Sequence, residues 1–98
     1  MDEQQVKGGP MARQAAMLCQ DPAFRLYLDR RRRFKWNMPE HALPDGTHNE
    51  QDARDWLCAA CRIHSRAELD HRQEAERTFR QIRNRFNRWR AKQTGGTA

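Results

Sequence analysis

Residues 71–92 read HRQEAERTFRQIRNRFNRWRAK, and this stretch decides the fold. Ala75, Phe79, Ile82, Phe86 and Trp89 recur at spacings of four, three, four and three. At about 3.6 residues per turn those positions fall on one stripe of a helix. Arg77, Arg80, Arg83, Arg85, Arg88, Arg90 and Lys92 cover the rest of the circumference, and no acidic residue occurs from Arg77 onward. The pattern predicts an amphipathic helix from His71 to about Lys92, with Asp70 capping its first amides and Gly95-Gly96 ending it. A rod anchored by aromatics and coated in guanidinium groups is suited to an anionic surface, most often nucleic acid.

Working towards the N-terminus, Ser65 and Glu68 form a capping box that predicts a short turn from Ser65 to Leu69. Ala53, Trp56, Leu57, Ala60 and Ile63 give a third helix an apolar face; Thr47 or Asn49 caps it, and it should stop at His64. Phe24, Tyr27, Leu28 and Phe34 mark a second helix, opened by Asp21-Pro22 and running to about Lys35. Pro10, Met11, Ala15, Leu18 and Cys19 mark a short first one. Between the second and third helices, residues 36–49 form a long irregular loop punctuated by Pro39, Pro44 and Asp45-Gly46. Residues 1–9 and 93–98 are expected to be disordered tails flanking one helical domain, 10–92. With one valine and two isoleucines, no strand pattern is visible. The fold class expected is all-α: a small bundle of four to five helices with a long basic C-terminal helix, the third and last forming an antiparallel hairpin.

Composition narrows the function. The 98 residues are 37% hydrophobic and 33% charged, with a mean hydropathy of −1.18, so the core must be thin. The net charge of +6 is unevenly divided. Residues 21–35 carry six basic and two acidic side chains, residues 36–76 four basic and nine acidic, and residues 77–98 seven basic and none acidic. Either the acidic middle neutralises part of the basic charge internally, or the excess awaits an anionic partner. Three cysteines, no secretory leader and no apolar run of membrane-spanning length fit a soluble protein of a reducing compartment, the cytoplasm. Oligomeric state stays open: the stripe of the last helix could pair between subunits as a short coiled coil, though two heptads are few, and core is the commoner role of such a stripe.

Two basic clusters are the candidate nucleic-acid-binding residues. One is Arg77, Arg80, Arg83, Arg85, Arg88, Arg90 and Lys92; the other is Arg30, Arg31, Arg32, Arg33 and Lys35. In the second, Phe34 and Trp36 are expected to cap the core while the arginines reach for phosphate. Apart from Gln81, Asn84 and Asn87 the last helix offers little to read base edges, so backbone contact to DNA or RNA is expected rather than sequence readout. A rival partner is an acidic protein surface, since aromatics and arginines also build protein hot spots. A weaker alternative is zinc: Cys58, Cys61 and His64 stand three apart, and His71 could complete a set of four. Glu40, His41, Asp45 and His48 could offer acid–base chemistry in the loop, but no phosphate-cradling glycine loop, nucleophile elbow or paired metal-carboxylate spacing accompanies them. The expectation is a non-enzyme without cofactor.

Leu18-Cys19-x-Asp21-x-x-Phe24-x-x-Tyr27-Leu28, then Cys61-x-Ile63-x-Ser65-Arg66-x-Glu68-Leu69-Asp70, then the Ala75 to Trp89 stripe, resemble small accessory proteins of tailed bacteriophages and prophages. The likeness spans about residues 11 to 89 and rests on caps, turns and a stripe. It implies a phage accessory role in the host cytoplasm and carries over no catalytic residue. Such proteins include inhibitors of bacterial defence, anti-CRISPR proteins among them, which sustains the protein-binding alternative.

Overall fold

A computed structural model describes residues 8–93 as four α-helices and one 3-10 turn, with no strand among them. The expected tails, 1–9 and 93–98, lie outside the described residues except for Gly8, Gly9 and Gln93. Helix α1 spans Pro10–Gln20, α2 Pro22–Trp36, α3 Glu50–Cys61 and α4 Gln73–Gln93; the 3-10 turn is Arg66–Asp70.

Each boundary has a local cause. The Asp21 carboxylate accepts from the Ala23 amide at 2.9 Å and opens α2 one residue after α1 closes. Asn37 ends α2 in the left-handed region (φ 51°), and the Met38 amide returns to the Arg33 carbonyl at 2.9 Å. Asn49 and Asp52 form a reciprocal capping box at the start of α3. At its end Arg62 turns left-handed (φ 58°), and the Ile63 amide reaches back to the Cys58 carbonyl at 2.9 Å, while the Ile63 side chain is buried. That stop falls at Cys61, before the His64 expected from spacing. The Ser65–Glu68 box opens the 3-10 turn as expected.

Asp70 differs from expectation. Its carboxylate does not cap α4, which begins at Gln73; it accepts from the amides of Gly9 (2.7 Å), Met11 (2.9 Å) and Ala12 (3.0 Å) and so caps α1. Nothing in α1 itself supplies a side-chain cap, and its exposed amides are met from across the fold. This is the polar counterpart of the apolar packing between α1 and the 3-10 turn.

The core gathers Phe24 from α2, Leu57 from α3, Leu69 from the 3-10 turn, and Phe79 and Phe86 from α4, all essentially inaccessible to solvent. Phe24 meets Phe86 edge-on at 5.3 Å, and Tyr27 meets Trp89 at 5.3 Å. α3 lies against α4, and Trp56 of α3 also meets Phe24 of α2, at 6.2 Å. Gln93 accepts from Arg30 at 3.2 Å, so the C-terminal end of α4 lies beside the later part of α2. No helix among the described residues is long and apolar enough to cross a membrane.

The loop between α2 and α3 is pinned. Asp29, wholly buried, accepts from the Gly46 amide (2.7 Å) and the His48 amide (2.9 Å), and its Oδ1 lies 2.6 Å from His48 Nδ1. Gly46 has φ 95°, which a side chain would strain. Arg33 ties the same loop down by donating to the Leu43 carbonyl and to Asp45 Oδ1, both at 2.8 Å.

Candidate nucleic-acid interface

The seven cations of α4 divide into two groups. Arg80 pairs with Glu76 one turn earlier at 2.6 Å. Arg83 donates to the Gln14 side chain and lies over the Phe79 ring, tying α4 to α1. Arg90 reaches Asp21 at 3.5 Å and covers Phe86 at 4.9 Å. These three serve the fold.

Arg77, Arg85, Arg88 and Lys92 do not. Each is exposed, and among the described residues none of their side chains makes an ion pair or hydrogen bond. With Gln81 they follow spacings of four, four, three and four, an exposed strip of α4 about a third of a turn round from Ala75, Phe79, Ile82 and Phe86. At ~1.5 Å of rise per residue the strip is about 22 Å long. Asn84 adds an exposed amide beside it. Among the described residues the acidic middle of the chain therefore neutralises little of α4: its one ion pair there is Arg80 with Glu76, which stands on α4 itself.

The second basic cluster is rearranged relative to expectation. Arg30 and Arg33 are occupied by Asp45, at 3.2 and 2.8 Å, and hold the loop. Hydrogen bonds from Arg30, then Arg33, keep the Asp45 carboxyl below its usual range. Arg31 lies over the Trp56 ring at 5.3 Å and Lys35 over the Trp36 ring at 5.7 Å; Arg32 is exposed. Phe34 and Trp36, expected to cap the core, are 90% and 63% exposed. The physical reason is that the stripe of α2 outruns its partners. Phe34 stands one heptad after the buried Tyr27, yet the neighbouring helices no longer cover that level.

The cysteine and histidine set does not converge. Among the described residues no group of three or more His, Cys, Asp or Glu side chains could hold a metal ion. Cys58 and Cys61 are buried in the core, whereas His64 and His71 are exposed beyond the break at Arg62. Burial pushes both thiols up, Cys61 to about 11, away from the thiolate that zinc or nucleophilic chemistry requires. The loop acid–base set is likewise dispersed: Asp45 is held by arginines and His48 by Asp29, while Glu40 and His41 are exposed.

Two features escaped the sequence reading. Asp29 looks like one more charged helix residue, and only the fold shows it buried beneath the loop. Arg25, Arg54 and Arg66 meet beside the start of α3, where Arg25 Nε and Arg66 Nη1 are buried with no acceptor among the described residues. Neither has a local sequence signal, because their partners lie on other elements. No known protein family, curated protein or solved structure matches the chain.

Proposed function

We propose that the protein is a non-catalytic nucleic-acid-binding accessory protein of bacteriophage type, gripping the phosphate backbone of DNA or RNA without strong sequence preference. The observation that carries this is the outer strip of α4: four cations, exposed, unmatched by carboxylates among the described residues, and aligned over about 22 Å. Such a line meets repeated phosphates and displaces their counter-ions, which makes affinity steeply salt-dependent. Few amide side chains accompany the cations, which favours backbone contact over base readout. The likeness of the caps and stripe to small phage proteins supports the accessory role and a host-cytoplasmic setting.

The test is fluorescence anisotropy with labelled duplex DNA, single-stranded DNA and RNA over a salt series. Binding at low salt, with log K falling linearly against log salt, is the expected result. Replacing Arg85 and Arg88 by Gln should lower the magnitude of that slope by about two. Absence of binding to all three probes at low salt contradicts the reading.

One observation favours an alternative, docking on an acidic host protein complex, as an inhibitor of bacterial defence would. The groove between α1 and α4 is lined by Met17, 69% exposed, with Phe86, Arg83 and Arg90 nearby. A pull-down from nuclease-treated host lysate separates the readings: one stoichiometric protein retained favours the alternative.

A further inference from the structure

The end of α2 exposes an aromatic side chain beside a cavity. Trp36 is exposed there, and beside it a small cavity of about 130 Å³ opens between α2, the loop and α3. Its walls include the indoles of Trp36 and Trp56, with buried Leu28 at the base. Arg31, Arg32 and Lys35 complete the lining, and no carboxylate takes part in it. The cavity lies below the ~300 Å³ at which whole small-molecule ligands are enclosed, so it admits one ring and leaves the remainder of a ligand outside.

Its shape is maintained rather than incidental. Arg31 and Lys35 already lie over the indoles, at 5.3 and 5.7 Å. His48 forms part of the loop-side wall, and its ring and amide are both held by the buried Asp29. Arg33, bonded to Leu43 and Asp45, keeps the loop closed from the other side. The exposed indole of Trp36 leaves apolar surface in water at the wall of this cavity.

We infer that this cavity and its aromatic rim form a stacking site for an unpaired base of single-stranded nucleic acid, with Arg31, Arg32 and Lys35 taking the adjoining phosphates. Flat π-surfaces interleaved with cations are the combination that single strands require, because every base has a face to stack and every nucleotide a charge to neutralise. An acidic protein would use the cations but has few flat rings to offer the two indoles. Duplex nucleic acid keeps its bases stacked internally and so meets the cations alone. The site rests on the nucleic-acid reading of α4, and it lies at the end of the molecule where α4 also finishes, beside Arg30. It adds selectivity for unpaired strands to the salt-sensitive grip of that helix.

The experiment compares labelled (dT)20 with the same strand in a 20-base-pair duplex, for the full chain and its Trp36→Ala variant at one salt concentration. Trp36→Ala is expected to weaken single-strand binding by about 5- to 100-fold while leaving duplex binding within about twofold. Trp36→Phe, which keeps a stackable ring, should recover most of the loss. Since Trp36 is 63% exposed, the variant's helical circular dichroism should match the parent's. A second measurement covers the case in which Trp36→Ala does not fold. The paired Arg31→Gln and Lys35→Gln variant keeps both indoles, and should lose more single-strand than duplex affinity. Equal losses on both probes, or no loss on (dT)20, overturn the stacking site while duplex binding keeps the α4 reading intact. Failure to bind either probe overturns both.

Discussion

Asp70 shows how much one carboxylate decides in a thin-cored chain. Burial pushes its pKa up, but the amides of Met11, Ala12 and Gly9 outweigh this and hold it below the usual carboxylate range. Asp70→Ala should cost about 1–2 kcal/mol, seen as a Tm lower by roughly 5–10 °C, because α1 then loses its cap. Glu68, held down mainly by the His64 amide, and Asp45, held down mainly by Arg30, share the direction of shift. A carboxyl whose folded pKa is depressed contributes stability in full above about pH 4.5, and that contribution disappears as the pH falls through the lowered folded value. Denaturant melts from pH 7 down to pH 2 should therefore show stability lost on the acid side, with a shallower loss in Asp70→Ala. Asp29 is the more severe case. Asp29→Ala strands two amides and the His48 ring and should cost about 3 kcal/mol or more, measured by urea unfolding. Neither role is legible from spacing: Asp70 serves amides 58 to 61 positions away, and Asp29 looks like any charged residue of a helix.

At the scale of elements, periodicity was a good guide to which helices form and a poor one to where their faces find cover. The α4 stripe, the Asp21 cap, the Ser65–Glu68 box and the broken loop were all legible, because each is a local pattern with a local cause. The exposure of Phe34 was not, since spacing reports the side of a helix but not whether a neighbour reaches that level. Phe86→Ala should cost about 3–5 kcal/mol, as it removes the ring shared by Phe24, Tyr27 and Trp89; Phe34→Ala should fall within about 0.5 kcal/mol of the parent. Equal effects in chemical denaturation would contradict the packing described. The α3 stop offers a stabilising test. Arg62 pays the steric cost of a left-handed residue where glycine would not, so Arg62→Gly should raise stability by up to about 1 kcal/mol.

For the whole molecule, the question posed by the charge pattern receives a divided answer. The acidic middle engages the first basic segment, Asp45 with Arg30 and Arg33, and leaves most of α4 alone. Sequence could count the excess cations but not say which were taken, since pairing depends on how helices dock. The fold also brings the end of α4 beside α2, where Arg30 donates to Gln93, so that the last cations of α4 and the cluster of α2 lie at one end. Long-range attraction from that end should accelerate association with anionic partners and fade with salt.

The most direct measurement is the salt dependence of binding for the parent and for a variant with Arg77, Arg85, Arg88 and Lys92 replaced by Gln. The expected result is tight low-salt binding of nucleic acid by the parent, and a variant that folds equally well but whose log–log slope is shallower by about four. A variant with the parent's slope and affinity would show that the outer strip of α4 touches no phosphate.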